Sequence, residues 1–544
     1  MGFPATIALD IAASWVRLLI ALLVSIIFSI IVGIAAATNR TLERIILPVL
    51  DVLQTIPILG FFPIVILVIV SAIPGYAGVN TAVIFLIFTS MSWNISFGVY
   101  EAVKAIPQEI NEIASLYRFS FLERVRRIYI PSALPRIAYQ SSLSFSIGIF
   151  YLATSEIFST GSNIFAVTNG IGVEIANIAS QGSFPPLQYL AVIMAFVAAV
   201  IVTRLLILEP FLSYSERFSL AEKAVMGRRS RVLGFYTEIS SVLRKALRRV
   251  IPRRRRRQKQ VPIPLLPQVR KQYRLVRHKH FKHIYATIIV LLAVLAIALL
   301  MNTSQVPTEI AVLLALGASF LRVWGTYLVS AAIAVPLGIL ISQSRRLFSP
   351  ILSILQVVAA IPATILLPAL IALLAGTPYF GESTAFAVIF ISMIWYLLFS
   401  VISGMRTVPV SLVEAVKSNR LSPWEAWRKL YLPAALPSFV TGSITAIGGG
   451  WNSLIVAEFF AVQSSHTTAQ TSACLGTNLH LAGPAALSQV GCGIGKLIDL
   501  AVFSNHLGLM FLSIVSMTIM VIAVNRLFWQ KVYNRVITRY KLEV

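Results

Sequence analysis

Runs of about twenty apolar residues recur along this chain, and a globular water-soluble fold has nowhere to put them. Leu18 opens LLIALLVSIIFSIIVGIAAA, Leu190 opens LAVIMAFVAAVIVTRLLIL, and Ile284 opens IYATIIVLLAVLAIALLM. These runs are apolar all round, whereas the strands of a membrane barrel would alternate apolar and polar residues. Over 544 residues the chain is 57% hydrophobic and 12% charged, and its mean hydropathy is +0.84. Such a composition makes the bilayer the solvent for much of the surface. The expected fold is all-α, a polytopic helical membrane protein. The amino terminus has no basic stretch before its first apolar run, so no cleavable signal peptide is expected.

The sequence is also written twice. FTSMSWNISF from Phe88 matches FISMIWYLLF from Phe390, which pairs Ser90 with Ser392, Trp93 with Trp395 and Pro107 with Pro409. The same register joins Pro131 to Pro433 and Glu156 to Glu458, while upstream Ser14, Arg17 and Gly33 meet Ser319, Arg322 and Gly338. A repeat of this length is a duplicated, fused unit. Spans are expected near 15–37, 50–73, 80–100, 137–158 and 188–210. In the second copy they are expected near 284–301, 318–341, 352–375, 383–403, 438–460 and 508–530. That is about 11 transmembrane helices, in a first domain over 1–215 and a second over 284–544. A basic linker over 216–283 joins them.

Charge orients the spans. The net charge is +25, but 21 of the 45 Lys and Arg fall between Arg217 and Lys282, including RRRRR from Arg253. Basic loops beside spans stay in the cytoplasm, and anionic headgroups attract them. No aromatic interleaving or nucleic-acid module accompanies the block, so no nucleic-acid partner is expected. Placing it inside also places TNRTLER, QSRR, the segments 101–136 and 403–437 and the carboxyl-terminal tail inside. Both copies then share one orientation, as a parallel repeat.

Each copy carries one long polar insertion on that side. The first reads NEIASLYRFSFLERVRRIYIPSALP from Asn111, and the second reads VEAVKSNRLSPWEAWRKLYLPAALP from Val413. Such a segment can lie as a short amphipathic helix along the membrane, offering polar groups to a soluble partner until proline re-aims the chain into the next span. These segments resemble the EAA loop of ABC importer permeases, whose pattern is Glu-Ala-Ala, three residues, Gly, nine residues, then Ile-x-Leu-Pro. Glu112, Ala114, Ile128, Ile130 and Pro131 fill it in the first copy; Glu414, Ala415, Leu430, Leu432 and Pro433 fill it in the second. Ser14-x-x-Arg17, Ser319-x-x-Arg322, the Leu-Gln segments before Pro57 and Pro362, and Glu156 and Glu458 with their Gly-Ile-Gly partners are similar to the nitrate/sulfonate/taurine subgroup. One departure stands out: the family's glycine is Arg118 in the first copy and Arg420 in the second.

The resemblance implies a transporter subunit rather than an enzyme, sited in the plasma or inner membrane. It implies two partner ATPase subunits that carry ATP and Mg, an external or periplasmic solute-binding protein and a small anionic solute. The ATPase-coupling residues would be Glu112, Ala114, Arg118, Phe121, Glu414, Ala415, Arg420 and Trp424. No cofactor is expected in this chain, because it has no Gly-x-x-x-x-Gly-Lys-[Ser/Thr] loop. GCGIGKL has Val490 at the first glycine position and Leu497 at the hydroxyl position.

Polar residues inside spans are costly and are often functional. The repeat-equivalent Gln54 and Gln356, and the singleton Asn94, are candidates for the solute path, with interhelical hydrogen bonding as the alternative. For Glu156 and Glu458 a structural or gating role outweighs contact with an anion. Cys474 and Cys492 lie together in an enlarged outer loop at 461–505, where a disulfide and two free thiols are both open. No metal site is expected from the irregular spacing of His466 and His480 about them.

Overall fold

The computed structural model describes residues 3–55, 57–160, 167–180, 185–218, 306–343, 351, 355, 358–359, 361–374, 380–405, 408, 410–460, 493–503 and 506–540. The linker beyond Phe218, the span at 284–301, Gln356, Cys474, Cys492 and both loop histidines lie outside the described residues.

The first copy contains α1 (Phe3–Thr38), α2 (Arg40–Thr55), α3 (Phe62–Ala72), α4 (Tyr76–Lys104), α5 (Gln108–Leu116), α6 (Phe121–Arg124), α7 (Ile130–Thr160), α8 (Ile171–Ser180), α9 (Pro186–Thr203) and α10 (Glu209–Ser215). The second contains α11 (Val306–Gln343), α12 (Ala363–Leu374), α13 (Phe380–Met405), α14 (Val410–Ser418), α15 (Pro423–Ala426), α16 (Leu432–Phe460), α17 (Ile494–Phe503), α18 (Leu507–Val524) and α19 (Gln530–Tyr540). Among the described residues seven helices are long and apolar enough to cross a membrane. They are Pro4–Thr38, Tyr76–Lys104, Pro186–Ser215, Val312–Gln343, Gly381–Met405, Pro423–Glu458 and Leu507–Val536. α7 has 31 residues and occupies in the first copy the place of α16 in the second.

The apolar stretches expected at 50–73 and 352–375 are not single helices. Pro57, with an extended ψ of 110°, follows α2, and a short 3₁₀ turn over Ile58–Phe61 leads into α3. Pro362 stands in the same place before α12. Proline lacks the N–H an uninterrupted helix needs and pushes its predecessor out of helical geometry. The part before the break, α2, carries Glu43 and Asp51 and is strongly amphipathic rather than apolar all round.

In each copy three long helices pack as a slab, α1–α4–α7 in the first and α11–α13–α16 in the second. Between apolar helices in lipid, close backbone approach and interhelical hydrogen bonds replace the hydrophobic effect as the adhesive. Gly33 faces Val99, and its repeat partner Gly338 faces Val401; a Cβ at either glycine would come within 2.7 Å of the valine. Hydroxyls stitch the same seam: Ser29 donates to the Ser92 carbonyl and accepts from Ser96, each at 3.0 Å.

Among the described residues four π-helical segments interrupt the α-helices, in two repeat-related pairs. Val125–Tyr129 matches Trp427–Tyr431, and Arg204–Leu208 matches Asn525–Trp529. Each widens a helix by one residue per turn, a feature concentrated at functional positions in proteins generally.

Gly33→Val is expected to force α1 away from α4, at roughly 1–3 kcal/mol for overpacking a filled contact. A lowered thermal midpoint in detergent checks this; an unchanged midpoint would mean that the seam is looser than the geometry requires.

Candidate functional site

Three places bring polar chemistry together, and the repeat builds two of them twice.

The first is a clamp at the far end of each slab, away from the polar loops. Glu156, at the end of α7, is fully buried, as are Ser14 and Arg17 one turn apart on α1. A buried carboxylate is tolerable only when donors replace its water. Here Ser14 Oγ donates at 2.8 Å, Arg17 Nη1 at 2.5 Å and the Gly172 N–H at 3.0 Å. The last of these belongs to the first turn of α8, whose positive dipole end favours an anion. Ser14 Oγ in turn accepts from the Ile171 N–H, and Asp10 accepts from the Gly170 N–H. The second copy repeats this with Ser319, Arg322 and Gly495 around Glu458 at 2.8, 2.8 and 2.7 Å. The Gly-Ile-Gly pattern has a steric reason: a Cβ at Gly170 would stand 2.6 Å from the Glu156 carboxyl carbon, and one at Gly493 would stand 1.9 Å from Glu458 Oε1. The structural role expected for both glutamates is the one their contacts describe.

Sequence reading missed the outer partner of each arginine. Arg17 Nε donates to Asn80 at 2.6 Å, whereas Arg322 makes a forked pair with Glu382, the repeat equivalent of Asn80, at 2.8 and 2.5 Å. The unmatched pair Asn80 and Glu382 beside matched arginines was the available signal.

The second place is the polar loop. In the first copy α5 ends in a turn where the Phe119 N–H bonds the Ala114 carbonyl at 2.9 Å and the Arg118 N–H bonds the Ser115 carbonyl at 3.0 Å. This is the Schellman pattern, which requires a left-handed residue at the position after the cap. That residue is Arg118, with φ 52°; Arg420 has φ 50°. They are the described non-glycine residues with positive φ. The left-handed turn that glycine would make most easily is therefore formed here, and arginine is held in it at a cost of about 1 kcal/mol. Two residues later Ser120 caps α6 and Glu123 reaches back to the Ser120 N–H at 2.9 Å; Ser422 and Glu425 form the same capping box. That backbone bond holds the Glu123 carboxyl below the usual carboxylate range.

Of the residues expected to couple, Glu112 and Glu414 are both exposed, and neither carboxylate has a hydrogen bond or ion pair among the described residues. Ala114 is buried, while Ala415 is exposed. Phe121 and Trp424 are exposed at 62% and 65%, so both present aromatic surface outward. They are not repeat equivalents, since Leu122 occupies the position of Trp424. Trp424 stacks on Trp427 at 5.1 Å.

The third place is a cavity of about 1710 Å³ lined by both copies. Its wall includes Ser90, Trp93 and Asn94 from α4, Gln140 and Tyr151 from α7, and Trp395, Tyr396, Ser400 and Asn452 from α13 and α16. Gln54, Asp51, Arg204 and Asn534 line its end nearest the polar loops. Residues 76–89 of α4 and 380–390 of α13 contribute nothing to the wall, whereas Ser403 near the loop end of α13 and Asn534 of α19 do, so the space extends toward the loops. At the other end the halves touch: the Leu59 N–H donates to Asn452 at 3.3 Å, and the Tyr189 hydroxyl donates to the Ile365 carbonyl. Asn94 and Gln54 thus reach the same space, although Gln54 also donates to Asp51 at 3.0 Å. Tyr151 and Tyr396, which the sequence reading did not single out, face it as well.

Arg17→Met should cost roughly 3–5 kcal/mol, because it strands Glu156 without its countercharge, and adding Glu156→Leu should recover most of that. Thermal unfolding in detergent reads both; a single variant as stable as the double would show that the clamp is not an ion pair in energetic terms.

The family model of the binding-protein-dependent transport system inner membrane component matches residues 8–213 and again 334–529. The chain is 32% identical over 143 residues to a nitrate import permease protein, NrtB, of Leptolyngbya laminosa, covering 26% of this chain and 50% of that protein. It is 34% identical over 144 residues to a bicarbonate transport system permease protein, CmpB, of Synechocystis sp., covering 26% and 49%. The chain spans about half the length of the curated relatives it matches. With two matches that together cover most of its length, each containing one clamp glutamate and one polar loop, this chain belongs to the family of binding-protein-dependent transport system inner membrane components.

Proposed function

We propose that the chain is the permease of an ATP-driven importer, forming in one polypeptide the solute path that two separate subunits would otherwise build. The observation that carries this reading is the cavity: both copies wall it, and it opens between two polar loops of identical construction. The positive-inside rule puts that end in the cytoplasm, so the geometry corresponds to an inward-open state. Two ATPase subunits dock beneath α5–α6 and α14–α15, and their closure on ATP and Mg draws the slabs together at the loops and apart at the far end. A solute-binding protein delivers the cargo from outside. ATP hydrolysis belongs to the partner subunits.

A small oxyanion of the nitrate, sulfonate or bicarbonate class fits this wall. The charged side chains lining the cavity are Asp51 and Arg204, both near its mouth; deeper in, hydroxyls, amides and indoles surround the space. Neutral donors hold an anion less tightly than a buried cation would, which suits a path that must release its cargo. The relatives named for nitrate and bicarbonate import support the same class.

Reconstitution of the full chain with candidate ATPase and binding-protein partners tests the assignment. Binding protein loaded with nitrate, taurine or bicarbonate should stimulate ATP hydrolysis. The pair Glu112→Ala and Glu414→Ala should cut that stimulation by about tenfold or more, as removal of a docking contact does. Stimulation that survives the pair undiminished would count against coupling through these loops.

A further inference from the structure

The coupling loops hold several basic residues, and the structure separates those that brace the loop from those that do not. Arg124 donates to the Phe119 carbonyl at 3.1 Å and to Ser115 Oγ at 3.2 Å. Arg127 lies over the Phe119 ring, and Lys429 pairs with Glu425 at 3.1 Å. The side chains of Arg118 and Arg420 do none of this: both residues are exposed, and neither guanidinium makes a hydrogen bond, ion pair or ring contact among the described residues.

These two side chains nevertheless occupy the one backbone position in each loop that disfavours any side chain. The turn itself is served better by glycine, and its two closing hydrogen bonds use only backbone atoms. The same residue sits at the same strained position in both copies, although their loops differ at most other surface positions, Leu116 against Ser418 and Tyr117 against Asn419 among them. A conformational cost accepted twice, with no return within the described residues, implies a return from outside them. Being planar and permanently charged, the guanidinium matches a carboxylate in forked geometry. Exposed apolar side chains flank it: Leu116, Tyr117, Phe121 and Leu122 in the first loop and Trp424 in the second. The complementary surface is a groove with an apolar floor and an acidic rim.

We propose that Arg118 and Arg420 are the charge-reading elements of the two loops, each taking a carboxylate on the soluble ATPase that docks there. This rests on the coupling reading above and adds the chemistry of the contact. The left-handed turn projects the arginine beyond the end of the helix, toward a partner approaching from the cytoplasm.

Glycine makes the test decisive, because a structural role and a docking role predict opposite signs. The full chain is placed in nanodiscs of zwitterionic lipid, and its affinity is measured for the ATPase subunit that supports transport by the unaltered complex. The pair Arg118→Gly and Arg420→Gly should melt no lower than the native chain, yet bind about tenfold more weakly and with a flatter salt dependence. Arg118→Asn with Arg420→Asn, which keeps a left-handed turn without charge, should behave alike. The lysine pair should return to within about threefold of native affinity. A glycine pair that binds as well as the native chain overturns the inference and leaves the coupling reading standing. So does a deficit that appears only when anionic lipid is added, which would assign the arginines to headgroups. A native chain that binds no such ATPase overturns the coupling reading itself.

Discussion

A carboxylate buried in an apolar surrounding is a demand for donors, and the far end of each copy is organised by meeting that demand. Glu156 and Glu458 each draw a serine and an arginine from the first long helix of the copy and an N–H from the start of a short helix. Three separate stretches of chain are thereby held at one point, in a medium where apolar contact alone discriminates little between packings. The short helices α8 and α17 owe their placement to it. Because α8 also packs against α12 of the other copy, the clamp fixes part of the surface on which the halves close.

From that fixed end the two slabs run to the polar loops, and the division of chemistry follows the length of the helices. The most deeply buried ion pairs lie at the far end, neutral hydroxyls and amides in the middle, and exposed charges, some of them paired, at the loops. The middle of the cavity carries no charged side chain, while the loops present several. The halves touch where the cavity ends, through single contacts such as Leu59 with Asn452 rather than through an apolar seal.

Much of this was legible before any coordinates. Apolar runs give the fold class, and the register that pairs Glu156 with Glu458 and Pro131 with Pro433 gives the duplication, because repeated function preserves spacing. The EAA-like loops were readable for the same reason, down to the arginines at the glycine position. What the sequence could not show is how an arginine would sit there: whether the turn bends to suit the residue or the residue to suit the turn depends on the packing of α5 and α6. The break at Pro57 was also hidden, since hydropathy averages over a proline that hydrogen bonding cannot ignore. The cavity wall was hardest of all. Gln54 and Asn94 were found because amides are conspicuous in an apolar run, but Tyr151 and Tyr396 read as ordinary span residues until helix rotation turned them inward.

Asn94 and Tyr396 hold the same place in the two copies, and both face the cavity. In an assembly of two identical subunits a residue on the pathway must appear twice, and the central space inherits an exact twofold axis. Joining the copies in one chain removes that obligation. Each wall can change alone, so the space can acquire a preferred orientation for an occupant that itself lacks a twofold axis. The two dockings once related by the twofold rotation then cease to be equivalent. Gene fusion, seen this way, does more than tether two halves: it lifts the exact twofold axis from the central space and frees one side to specialise while the other keeps its former shape.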